Sequence, residues 1–220
     1  VLALVGVPVA RAWRGVVDAR ARGRDGRPIP RTAGLALLVA WSLPTVVFDG
    51  PETLPLVGLG LAAFALGLHD DLTDSPPRAR AAALAVLAVA ASWWSGGVAT
   101  VSLPGLGALA LGGAAVPLGA AVILAINVGF DFADGLDGLA GGLACVAAAA
   151  LWWVSGDIGA AALVGATLGF LAFNRPPASV HMGDSGSNLL GLLVGVGVVR
   201  GATNSDGAFA LLPALLLVVV

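Results

Sequence analysis

The stretch Leu111-Gly-Gly-Ala-Ala-Val-Pro-Leu-Gly-Ala-Ala-Val-Ile-Leu-Ala-Ile-Asn127, continued by Val128-Gly-Phe-Asp-Phe-Ala-Asp-Gly-Leu-Asp-Gly138, decides how the chain must fold. The first part is uncharged and, counted from Gly107, about as long as the roughly 17–25 residues a helix needs to cross a bilayer. In lipid only helices and closed barrels satisfy their own backbone groups. This Leu/Ala/Val/Ile run lacks the alternation of a barrel strand, so it reads as a spanning helix. The second part then delivers three aspartates, Asp131, Asp134 and Asp137, to one end of that helix.

The rest of the chain follows the same design. Of 220 residues, 58% are hydrophobic and only 11% charged, with mean hydropathy +0.96. A soluble domain carries about 25% charged residues, so water cannot be the main solvent. Apolar blocks run at about 33–48, 54–69, 81–95, 107–127, 138–154, 158–173 and 186–199. Partial blocks at 1–10 and 208–220 bring the total to nine and look like trimmed helices. The expectation is an all-α polytopic membrane bundle forming a single domain over 1–220. Residues 1–10 have no positive region before them and fit a signal peptide poorly. Cys145, the single cysteine, sits in an apolar run, where it reads as a small packing residue; no intrachain disulfide can form.

Charge placement sets the topology. Lysine is absent, and seven of eleven arginines (Arg11, Arg14, Arg20, Arg22, Arg24, Arg27 and Arg31) lie in one loop. Short arginine-rich loops stay in the cytoplasm. Alternation from there predicts cytoplasmic loops at about 11–32, 69–80, 128–137 and 174–185. Arg78, Arg80 and Arg175 fall on that face and only Arg200 on the other. Every acidic cluster shares the arginine face.

Three constellations on that face carry chemistry. His69-Asp70-Asp71-Leu72-Thr73-Asp74 closes an apolar segment. If the helix continues, Asp70 and Asp74 share a face, as do Asp71 and Asp74. Carboxylates so grouped repel unless a cation or proton lies between them; the plainer alternative is a solvated helix end. Asp131 to Gly142 joins its aspartates through glycines, at a spacing an EF-hand does not use. Opening a helix, its backbone N–H groups suit a phosphate or a cation-bridged phosphate. The third stretch is Asn174-Arg175-Pro176-Pro177-Ala178 with His181-Met182-Gly183-Asp184-Ser185-Gly186-Ser187-Asn188. Ser185 or Ser187 would serve as a helix N-cap, and the stretch is not a G-x-S-x-G elbow. His181 reads equally as an interfacial residue or a ligand, and Arg175 as a phosphate binder or a headgroup anchor. Acidic oxygens with few histidines suit Mg²⁺, or Mn²⁺, rather than zinc. Phosphate is the substrate chemistry implied, and membrane burial implies that the second reactant is a lipid.

Taken in order, these stretches resemble the polyprenyl-phosphate N-acetylhexosamine-1-phosphate transferases (glycosyltransferase family 4), which include the phospho-MurNAc-pentapeptide translocase. Pro28-Ile29-Pro30-Arg31-Thr32-Ala33-Gly34 is similar to the family's P-x-P-R-x-G-G loop, with Ala33 replacing a glycine. Gly67-Leu68-His69-Asp70-Asp71, followed by Asp74-Ser75-Pro76, resembles its G-x-x-D-D box. Asp134-Gly135-Leu136-Asp137-Gly138-Leu139-Ala140 resembles D-G-x-D-G-L-A, and Met182-Gly183-Asp184-Ser185-Gly186-Ser187 resembles M-G-D-x-G-S.

The resemblance implies Mg²⁺-dependent transfer of a sugar 1-phosphate from a UDP-sugar to polyprenyl phosphate, releasing UMP. It implies a bacterial inner-membrane enzyme, multi-pass, with its site facing the cytoplasm. Asp184 would be the principal metal ligand, with Asp70 and Asp71 supporting the metal or activating the lipid phosphate. Asp134 and Asp137 would hold the nucleotide side; Asp131, Asn174, His181 and Arg31 complete the implied substrate-binding set. Ser75-Pro76-Pro77-Arg78 resembles the GlcNAc-1-phosphate branch. Nucleic acid is not an expected partner, and a homodimer is left open. Departures from the family pattern are Asp131 for a usual Asn, Asn127 displaced by one residue, and His181 for a Phe suited to stacking on uracil. A His-rich loop would follow after Val220. Two other classes compete: a secondary transporter, whose acids should lie near mid-bilayer, and a non-catalytic scaffold.

Overall fold

The computed structural model describes residues 17–22, 28–31, 33–73, 75–103 and 107–204. The terminal apolar blocks, Asp74, and Arg11, Arg14, Arg24 and Arg27 of the arginine loop lie outside the described residues. Among the described residues seven α-helices form the body: α1 (Ala33–Asp49), α2 (Leu54–Thr73), α3 (Pro77–Trp94), α4 (Ala115–Ala133), α5 (Leu139–Ser155), α6 (Ile158–Asn174) and α7 (Gly183–Asn204). Each matches one of the seven complete apolar blocks. Three stretches, Pro51–Thr73, Gly112–Ala133 and Gly183–Ala202, are long and apolar enough to cross a membrane; α1, α5 and α6 are shorter apolar helices. These are the components of a polytopic membrane bundle.

Two short antiparallel hairpins depart from the all-α expectation. Strands β1 (Val17–Arg22) and β2 (Pro28–Pro30) pair within the arginine loop. Strands β3 (Thr100–Leu103) and β4 (Gly107–Ala110) pair in register from Thr100 opposite Ala110 to Leu103 opposite Gly107. The block read as beginning at 107 is therefore strand first, and its helix starts only at Ala115. Gly112 and Gly113 separate the two, and an apolar run cannot by itself distinguish strand from helix. Two acidic loops also prove shorter than expected. Helix α2 continues through Asp70 and Asp71 to Thr73, and α4 continues through Asp131 to Ala133.

Helix α7 is the axis of the bundle. It packs against α1, α2, α4 and α5, and 83% of its apolar window is buried, against 28% for α2 and 39% for α4. Small residues permit this, as is usual where lipid supplies no hydrophobic drive between helices. A Cβ on Gly191 would lie 2.6 Å from the Asn127 Cα, and one on Gly195 would lie 3.0 Å from the Ile123 Cα. One turn apart on α7, these two glycines form the groove that receives α4.

The two ends of the bundle differ in kind. At one end the α2, α4 and α6 C-termini meet the α1, α3, α5 and α7 N-termini; Gly67 of α2 abuts the Asp184 carbonyl of α7, and Asn174 of α6 bonds to Gly138 before α5. At the other end stand Trp93 and Trp94 of α3 and Trp152 and Trp153 of α5, and Arg200 of α7 lies over the Trp94 ring at 5.0 Å. Trp93 and Trp153 are 76% and 88% exposed, the placement of an interfacial aromatic belt.

Candidate active site

The acidic end is assembled around a cation. Arg80, close behind the start of α3, donates through Nη1 to Asp70 Oδ2 at 2.7 Å and to Asp184 Oδ2 at 3.1 Å. Its Nη2 donates to Asp131 Oδ1. Three carboxylates, from the end of α2, the end of α4 and the start of α7, thus converge on one guanidinium. The Asp70 carboxylate also accepts from the Ser75 backbone N–H at 2.9 Å, which turns the chain sharply between α2 and α3. Asp70 and Asp184 are brought together by the one Arg80 nitrogen that both accept from.

Asp71, its sequence neighbour, faces elsewhere. Its Oδ1 accepts from the Asp184 N–H and its Oδ2 from the Ser185 N–H, both at 3.0 Å. Asp71 thereby caps α7 from a different helix, supplying charge-assisted bonds to amides that would otherwise lack partners. The serines do not provide this cap: the Ser185 hydroxyl donates to the Met182 carbonyl and the Ser187 hydroxyl to the Asp184 carbonyl. Gly183 makes the arrangement possible. It sits at φ +70, and a Cβ there would fall 2.7 Å from Asp71 Oδ2.

A second group ties the loop after α4 to the loop after α6. Asn174, buried, accepts from the Gly138 N–H at 2.9 Å and donates to the Val180 carbonyl at 2.9 Å. Asp137 accepts from the Ala178 N–H at 2.8 Å, and its other oxygen lies 3.3 Å from His181 Nε2. The His181 backbone N–H donates to the Pro30 carbonyl, which joins β2 to the same cluster. Asp134 follows α4 at half-buried depth. Burial pushes its carboxyl up to about 8, with the negative charge of Asp184 adding to the effect and Arg31 opposing it.

The structure therefore brings Asp70, Asp131 and Asp184 together on Arg80 and Asp134 near Arg31. Asp71 serves the α7 terminus, and Asp137, Asn174 and His181 form a separate clip. Arg80 is the residue sequence reasoning used only for topology. A signal was present: a cation near a helix N-terminus opposes the helix dipole and needs carboxylates close by. One turn below Asp131 and Asp184, Asn127 donates to the Asn188 carbonyl at 3.0 Å, and both side chains are buried.

Among the described residues, no three Asp, Glu, His or Cys side chains form a cage able to hold a metal. Mg²⁺ does not need one. It is usually held by one or two carboxylates together with substrate phosphates and water, and the adjacent Asp70 and Asp184 oxygens offer that donor set.

A bundle of apolar helices with a carboxylate–arginine cluster at one end has the parts of a polytopic membrane protein. The chain belongs to glycosyl transferase family 4, whose family model matches residues 53–202. It is 32% identical to the phospho-N-acetylmuramoyl-pentapeptide-transferase of Synechococcus sp. (strain JA-3-3Ab), over 88% of this chain and 63% of that protein. It is 34% identical to the decaprenyl-phosphate N-acetylglucosaminephosphotransferase of Mycolicibacterium smegmatis, over 96% of this chain and 61% of the relative. The protein of the same name from Mycobacterium leprae is 32% identical, over 98% and 63%. The chain thus spans about 60% of the length of these relatives.

Proposed function

We propose that this chain forms a single membrane domain of an enzyme that transfers a sugar 1-phosphate from a UDP-sugar to polyprenyl phosphate, releasing UMP. The sugar is GlcNAc, and the product starts a cell-envelope glycan. The convergence of Asp70, Asp131 and Asp184 on one end of the bundle, inside the matched family region, carries the reading. The names of the mycobacterial relatives and the Ser75-Pro76-Pro77-Arg78 sequence favour GlcNAc over the pentapeptide-bearing sugar. The acidic end faces the cytoplasm of a bacterial inner membrane, because the arginine-rich loop belongs to that end.

Asp70 and Asp184 would hold Mg²⁺, or Mn²⁺ in its place; such an ion supplies neutralising charge to the diphosphate. The chain's own residues then position the reactants. Arg80 stands beside the same phosphates, and Arg31 and Asp134 flank the nucleotide side. At neutral pH Asp134 keeps its proton and donates a hydrogen bond to a phosphate oxygen instead of repelling it. The His181 ring, steadied by Asp137, offers a face to uracil. Positioning and electrostatics suffice here, since the attacking lipid phosphate is already largely ionised at pH 7.

Exchange of labelled UMP into UDP-GlcNAc by the full-length protein tests the reading. Exchange that depends on polyprenyl phosphate and Mg²⁺ supports it. Absence of exchange with every UDP-sugar offered overturns it.

A further inference from the structure

Arg80 does more than neutralise its surroundings. Its Nη1 is bonded at once to Asp70 Oδ2 and Asp184 Oδ2, and Nη2 to Asp131. Asp70 and Asp184 are also the residues that would hold the divalent ion. We propose that Arg80 is a tethered competitor of the metal, so that ion binding and withdrawal of this guanidinium from the carboxylates are one event. The inference rests on the metal reading given above.

Three physical points carry it. Three carboxylates from three helices meet a single guanidinium, and without a cation or proton among them they would push α2, α4 and α7 apart. Arginine cannot relieve the competition by losing its proton, so it must move when another cation arrives. It has room to do so: its side chain is 24% exposed, and its position near the α3 N-terminus gives it no dipole to hold it there. Once withdrawn, a guanidinium is well shaped to bind phosphate oxygens in a two-pronged fashion. Release by the metal would thus present Arg80 to substrate only after the ion is seated.

The test is Mn²⁺ binding to the full-length protein in detergent, followed by electron paramagnetic resonance without substrate. Arg80→Gln removes the competing charge and should tighten Mn²⁺ binding by about tenfold or more, since one neighbouring charge shifts proton affinity of a carboxylate by about 1–3 pK units. The same variant should melt at a lower temperature than wild type in chelator and recover more on Mn²⁺ addition. Arg80→Lys keeps the charge but not the fork, and should fall between the two in affinity. An Arg80→Gln protein that binds Mn²⁺ no tighter than wild type overturns the inference and leaves the metal reading standing. A wild-type protein that binds no Mn²⁺ at millimolar concentration overturns both.

Discussion

The acidic and the aromatic ends of this bundle are built from the same helices yet obey different physics. At the aromatic end polar atoms are few and largely settle within their own neighbourhood. Asp157 caps α6 by accepting from the Ala160 N–H at 2.8 Å, and Ser155 donates to the Leu151 carbonyl one turn back. At the acidic end the bonds cross between elements far apart in sequence: Arg80 to Asp184, Asp71 to the α7 amides, Asn174 to Gly138. Local bonds hold a helix; long-range bonds fix helices relative to one another. An end that holds carboxylates from three helices on one guanidinium needs the second kind.

The comparison can be broken most forcefully at Asp184. Asp184→Asn keeps the shape of the side chain while removing one anionic oxygen from the candidate metal pair. Sugar-phosphate transfer by the full-length enzyme should fall at least about a hundredfold, the scale of losing a key electrostatic group. Thermal stability should change little, because the α7 terminus is held by Asp71 and not by Asp184. Near-normal turnover at ordinary Mg²⁺ would remove Asp184 from the site.

Asp71 tests whether the acidic end is divided as its geometry shows. Asp71→Ala leaves the Asp184 and Ser185 amides without their carboxylate, at a cost of about 3–6 kcal/mol for two charge-assisted bonds. Unfolding of the purified protein should show that loss, and Asp71→Asn should recover part of it by accepting one of the two bonds. A stable Asp71→Ala protein that is merely inactive would instead place Asp71 among groups that touch substrate.

The sequence shows this division only in part, for reasons visible in particular residues. Helix positions are legible because each apolar block is long. The β3–β4 hairpin is not, since Gly107-Ala-Leu-Ala110 is as apolar as the helix it precedes and only pairing with Thr100–Leu103 reveals the strand. The acidic boxes are legible as a group on one face. Their internal assignment is not: Asp70 and Asp71 are adjacent, but a helix turns successive side chains by about 100°, so one reaches Arg80 and the other α7. Arg80 stays hidden for a related reason, because its three partners lie ten, 51 and 104 residues away.

Asp134 gives a smaller, pH-dependent effect. Its carboxyl titrates at about 8 in the fold, against 3.8 ordinarily. Between those values the folded state binds more protons than the unfolded chain, so Asp134 makes stability fall as pH rises, by at most about 1.4 kcal/mol per pH unit. Asp134→Asn removes that slope: the variant should gain on wild type steadily from pH 5 to pH 8 in parallel denaturation series. UDP-sugar binding should weaken above pH 8 in wild type and stay level in the variant. Parallel stability curves would show that Asp134 is ionised in the fold.

The smallest effect is expected at the aromatic end, where it serves as the control for everything above. Arg200 lies 5.0 Å above the Trp94 ring and belongs to the last turns of α7. An Arg there complements the negative end of the helix dipole, and its attraction to an indole face is worth about 0.5–1 kcal/mol at an accessible position. Arg200→Gln should therefore lower stability by about that much, and Trp94→Leu by a similar amount through the same contact. Made together, the two substitutions should cost less than their sum, since the second removes a partner already lost. Transfer activity and Mn²⁺ affinity should not move in either protein, because Arg80 bonds to Asp70, Asp131 and Asp184 at the opposite end. A tenfold loss of activity in Arg200→Gln with stability intact would mean that α7 carries strain from one end to the other, and the two ends could no longer be treated as separate.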